Sequence, residues 1–122
     1  MMDIREMKPG RELDELIMTK VMKWTKEDDH KPLPMWRDNN GFNVDHIARF
    51  FTPSVDISDA WQIVEKMRKL SYFIRLEDQE ESIRARFYNP DFLPVEKPSW
   101  AEAETAPEAI CKAALLAKEG AK

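Results

Sequence analysis

The chain has 122 residues, 43% of them hydrophobic and 34% charged, enough for one hydrophobic core and too apolar for wholesale disorder. A net charge of −4 and a pI near 5.3 disfavour a nucleic-acid binder that works by bulk charge, and no apolar run approaches the roughly 20 residues of a membrane span. The single Cys111 makes no internal disulfide, and the opening Met-Met-Asp-Ile-Arg-Glu has no signal-peptide core, so one cytoplasmic domain over residues 1–122 is expected.

A first helix is predicted over residues 11–24, with Pro9 and Gly10 as its entry. Glu12, Asp14 and Glu15 lie in its first turn and Lys20 and Lys23 near its end, as the helix dipole favours. Leu13, Leu16, Ile17, Val21 and Trp24 recur at three- and four-residue steps and form one apolar stripe. Residues 26–34 form a polar break. Asn39-Asn40-Gly41 signals a turn, and the aromatic-rich stretch 42–51 is read as an irregular strand or an ordered loop.

A second helix is predicted over residues 56–70, capped by Asp56 or Ser58. Ile57, Ala60, Trp61, Val64, Met67 and Leu70 are its expected buried face. A hairpin follows. Tyr72, Ile74 and Leu76 alternate with Phe73 and Arg75, and Ile83, Ala85 and Phe87 alternate with Arg84, Arg86 and Tyr88, around an acidic turn at 77–81. The expected register pairs Leu76 with Ile83 and Ile74 with Ala85. A lone hairpin is marginal, so a third strand is needed, and 42–51 is the first candidate. Residues 89–103 read as a proline-spaced loop anchored by Phe92, Val95 and Trp100. A last helix begins at Thr105, whose spacing to Glu108 is that of a capping box. It ends at Gly120 and carries the small residues Ala113, Ala114 and Ala117.

These pieces resemble the phage ABA-sandwich domain, a family of small proteins of Bacillus-type phages and prophages. The matching stretches are Ile4-Arg-Glu-Met-Lys-Pro-Gly-Arg-Glu-Leu-Asp with Lys20-Val-Met-Lys-Trp24, then Asp56-Ile-Ser-Asp-Ala-Trp-Gln-Ile-Val-Glu-Lys66, then Thr105-Ala-Pro-Glu-Ala-Ile-Cys-Lys-Ala-Ala-Leu116. The resemblance implies an α+β fold of three helices layered on a small antiparallel sheet, an α-β-α sandwich. It also implies a phage or prophage origin, and so a host bacterial cytoplasm. It carries over no functional residues.

Four constellations bear on function. The hairpin alternation puts Arg75, Arg84 and Arg86 on the non-core face with Phe73 and Tyr88. Arginines beside aromatic rings suit phosphate and base contacts. The plainer reading is a solvated face whose arginines pair with Glu77, Glu80 or Glu81, or one covered by a helix, and solvated surface charge is the default. Asp45-His46, with His30 and Asp28-Asp29 upstream, lack the converging spacing of a metal site. Cys111, among Ile110 and alanines, reads as a buried thiol. Trp24 and Trp61 fall on helix stripes and read as core. Trp36 and Trp100, in the two long loops, line a ligand slot or an interface, or anchor the loops.

The leading expectation is a phage accessory protein that acts by binding as a protein-interaction or self-associating module, a homo-oligomer needing no cofactor, metal or membrane. The alternative is a small-molecule or nucleotide-binding protein using Arg75, Arg84, Arg86 and Tyr88 with Trp36 or Trp100. An enzyme is the weakest reading, with Asp45 and His46 as its nearest candidates.

Overall fold

The computed structural model describes residues 4–27, 35–89 and 100–120. A 3-10 turn over Ile4–Glu6 leads into α1 (Arg11–Lys20). Gly10 precedes α1 at φ 145°, a conformation open to glycine and strained for other residues. Its amide donates to Ser54 Oγ at 2.9 Å, tying the start of α1 to a turn 44 residues on. The apolar stripe is seated as its spacing predicts, with Leu13, Ile17 and Val21 fully buried and Met18 beside them.

The helix ends four residues earlier than its periodicity predicts. Met22 and Trp24 donate backwards to the Ile17 and Met18 carbonyls, and Lys23 takes the left-handed conformation at φ 62°. The reversed chain then pairs β1 (Thr25–Glu27) with β2 (Met35–Arg37) as a two-stranded antiparallel sheet.

Residues 42–51 do not supply the third strand of the main sheet. Asn43 bridges to Arg37 and the chain then coils into one turn of helix, α2 (Asp45–Ala48). Two local bonds hold it. The Asp45 carboxylate accepts from the Trp36 amide, and the Val44 amide donates to the Trp36 carbonyl. Phe51 is buried against Trp24, ring centroids 5.3 Å apart.

α3 (Ile57–Lys69) is capped by Asp56, which accepts from the Ser58 and Asp59 amides. This satisfies donors that the helix itself leaves open. Its buried face is Ala60, Ile63, Val64 and Met67. Ile57, Trp61 and Leu70, expected inside, are exposed, Trp61 at 42%. The true stripe is rotated toward Ile63, which leaves Trp61 on its rim.

The main sheet is three-stranded and antiparallel, in the order β3 (Phe73–Asp78), β4 (Ile83–Tyr88), β5 (Ala101–Ala103). Its third strand thus comes from the end of the segment read as a loop. Phe92 and Val95 of that segment lie outside the described residues. The hairpin register pairs Leu76 with Ala85 and Ile74 with Phe87, two residues from the expected one. The Gln79 amide closes the turn on the Ser82 carbonyl, so the strands run on to Asp78 and the loop is shorter. A shift of two keeps every side chain on its own face.

Alanines at 85, 101 and 103 leave room on the helix-facing side of the sheet, beside the buried ring of Phe87. α4 (Ala106–Gly120) lies on β4 and β5 there and also packs on α1 and α3. It is therefore enclosed on several sides, which its alanine content permits. The Glu108 carboxylate does not turn back to a capping box. It takes the Lys112 ammonium at 2.7 Å, an ion pair enclosed within the fold. The whole is an α+β sandwich of three longer helices with two small antiparallel sheets.

Candidate functional site

The period-two alternation of β3 and β4 sends Phe73, Arg75, Glu77, Arg84, Arg86 and Tyr88 to the side of the sheet away from α4. The register sets them in cross-strand rows. Phe73 stands opposite Tyr88, Arg75 opposite Arg86, and Glu77 opposite Arg84. On the far side of β4, Arg84 faces Glu102 of β5, whose carboxylate also receives the Ser82 hydroxyl. Trp100, just before β5, comes to the same side.

The arginines are held differently. Arg84 Nε donates to Glu77 Oε2 at 2.8 Å, and its Nη2 reaches the same oxygen. Its guanidinium also lies 4.3 Å from the Trp100 ring centroid. Arg86 sits between two rings, 5.4 Å from Tyr88 and 5.7 Å from Trp100. Its Nε is buried without a hydrogen-bond partner. Arg75 is solvent-exposed. Like charges directly opposed on a sheet are unfavourable, so the Arg75–Arg86 row is one an anion would stabilise. Phe73 is 46% exposed and gives that row an apolar border, its ring 6.1 Å from that of Tyr88.

The structure therefore gathers Arg75, Arg84, Arg86, Tyr88 and Trp100 on one surface and puts Trp36 elsewhere. Trp36 is 2% exposed, in β2. With Met7, Glu12, Glu15, Leu16, Thr19 and Lys26 it lines a separate pocket of about 370 Å³. Lys26 is held there by Glu15 at 3.0 Å, and the Trp36 indole Nε1 is buried without a bonded acceptor.

Asp45 of the Asp45-His46 pair is occupied by the Trp36 amide. His30, Asp28 and Asp29 lie outside the described residues. Among the described residues no group of three or more His, Cys, Asp or Glu side chains is placed to hold a metal, and no helix is long and apolar enough to cross a membrane.

Two polar features inside the fold escape a reading of sequence alone. One is the Glu108–Lys112 pair. Its only trace is an i, i+4 spacing that is ordinary on a solvated helix. The other joins α1 to the turn before α3. Asp14, 2% exposed, accepts from the Ser54 amide at 2.9 Å. Burial raises its carboxyl above the ordinary range, against the opposing pull of the Ser54 bonds and Arg11; Asp59 adds to the rise. No local motif links residues 40 apart. Cys111 is buried, and burial first, then the charges of Asp14 and Glu108, push its thiol well up. That favours the thiol over the nucleophilic thiolate.

No curated protein and no solved structure shows significant similarity to the chain. A family model for the phage ABA sandwich domain matches residues 15–115, a span that takes in the second half of α1, both sheets, α3 and most of α4. Together with the layered fold just described, this match makes the chain a member of the phage ABA sandwich domain family, and so a phage protein.

Proposed function

We propose that the protein acts by binding and that its outer sheet face takes a small anionic ligand carrying a planar ring, with a nucleoside phosphate as the model. The supporting observation is the Arg86 guanidinium, flanked by Tyr88 and Trp100, with a buried Nε that lacks an acceptor. Arg75 directly across the strand supplies a second cation. Guanidinium pairs bind phosphate and carboxylate oxygens through several parallel hydrogen bonds. The exposed ring of Phe73 offers a stacking surface for a planar group. Fixed cations and ring faces suffice for binding and need no proton transfer, which favours binding over catalysis on this surface.

Thermal melting with adenosine monophosphate, inorganic phosphate and adenosine tests this. Adenosine monophosphate is expected to raise the melting temperature most, because it alone brings both parts. At 100 times its Kd a ligand adds about 2.7 kcal/mol, a shift of several degrees for a domain of this size. Arg86→Ala should weaken binding about ten- to a hundredfold, matching one lost charge-assisted hydrogen-bonding group. If none of the three probes shifts melting, or the shift survives Arg86→Ala, the reading fails.

A further inference from the structure

We infer that two copies of this chain pair edge to edge through β3, antiparallel about a two-fold axis at Leu76, to form one continuous six-stranded sheet. Among the described residues no strand lies beyond β3. The Gln79 amide bonds Ser82 across the hairpin, and hydrogen-bonded pairs alternate along an antiparallel ladder. Residues 77, 75 and 73 therefore direct their amides and carbonyls to β4, and Ile74, Leu76 and Asp78 direct theirs outward from the sheet edge.

Exposed edges are normally blunted by proline, charged side chains, a bulge, shortness or a covering element, and the charges of β3 include Arg75 and Glu77, opposite in sign, which a second copy of the strand can pair. Phe73-Ile-Arg-Leu-Glu-Asp78 has no proline or lysine, pairs with β4 without a bulge over all six residues, and is twice as long as β5. Leu76 points to the helix side of the sheet yet is 39% exposed. The apolar side of the sheet thus reaches this edge only partly covered.

Charge chooses a second copy as the occupant and also chooses the register. With Leu76 on the axis, Leu76 meets its own copy and Arg75 lies opposite Glu77 of the second chain, twice over. Centring on Arg75 or on Glu77 would oppose like charges, which is unfavourable. Centring on Ile74 would need the Tyr72 amide as a donor, and that amide is already given to the Met67 carbonyl. The Leu76 register uses all three outward-facing residues of each strand. It is also isologous and closes at two chains, so it does not propagate into a fibre.

Light scattering and cysteine cross-linking test the pairing on the full chain. Arg75 is shared with the anion-binding reading but Leu76 is not, so variants at Leu76 isolate the pairing. The wild type is expected to have twice the 14.3 kDa mass of one chain. Leu76→Lys, which sets two like charges face to face on the axis, should return the single-chain mass with the far-ultraviolet spectrum unchanged. Opposed hydrogen-bonded residues have Cα atoms about 5.5 Å apart, within the disulfide range. Leu76→Cys should therefore cross-link to itself under mild oxidation, and Ile74→Cys, which faces Asp78 of the other copy, should not. Native Cys111 is buried and does not compete. A wild type that stays a single chain at high concentration overturns the inference. So does a dimer that survives Leu76→Lys, or Ile74→Cys linking as readily as Leu76→Cys.

Discussion

Ser71 occupies a position that the backbone reserves for glycine. It follows α3 at φ 71°, and its amide and that of Tyr72 donate to the Arg68 and Met67 carbonyls, the pattern that ends a helix with a left-handed residue. A side chain in that conformation costs about 1 kcal/mol or more, and glycine avoids the cost while loosening the unfolded chain. Ser71→Gly should therefore stabilise the fold by about 0.5–1 kcal/mol in a urea titration, whereas Ser71→Ala, which keeps the Cβ, should not. Asp14 is the second informative residue. Its folded carboxyl is raised by burial, so the folded chain holds that proton more tightly than the unfolded one. Its contribution to stability is complete below the ordinary carboxyl range near about 4. It is lost as pH rises through the folded value. Asp14→Asn keeps an oxygen for the Ser54 amide and removes the titration. The melting difference, Asp14→Asn minus wild type, should climb as pH rises through the folded Asp14 value and then level off. A difference that falls with pH would contradict the raised carboxyl.

Among the elements, α4 bears the clearest energetic consequence. Its Glu108–Lys112 pair is enclosed, and removing one partner of such a pair strands the other charge, at a cost of about 3–5 kcal/mol. Lys112→Met should cost about that much in a denaturant titration. The double change Glu108→Leu with Lys112→Met should recover most of the loss, since an apolar pair of similar volume replaces both charges. The elements also mark how far sequence alone reaches. Long periodic stretches were legible as helices: α3 and α4 have close to their expected bounds, α1 starts as expected though it ends early, and the Asp56 cap is in place. The rim of a stripe was not, because residues such as Trp61 at its margin are assigned by the neighbours the helix meets. A three-residue strand of two alanines and a glutamate carries no strand signature, so β5 read as loop. The two-residue slip of the hairpin arose because the acidic turn has no Gly or Asn to mark its corners.

For the molecule as a whole, the arginine face was legible in part for a simple reason. Alternation fixes which side chains share a face whatever the register, so Arg75, Arg84, Arg86 and Tyr88 were grouped correctly. Which tryptophan joins them is a matter of topology. Trp100 arrives because β5 returns beside β4, and Trp36 departs because β2 pairs with β1 on a separate sheet. Polar links across 40 residues, such as Asp14 to Ser54, have no local pattern at all. The central place of α4 has one more consequence, in the order of synthesis. A ribosome delivers α1, both hairpins and α3 before it delivers the helix on which they converge. Until residues 106–120 emerge, α1, α3, β4 and β5 lack the helix that they all pack against. The faces of α1, α3 and the sheet that α4 covers therefore stay open to water until that helix follows them out of the ribosome. Slowing elongation over α4 would lengthen the interval in which chaperones and proteases compete for the nascent chain.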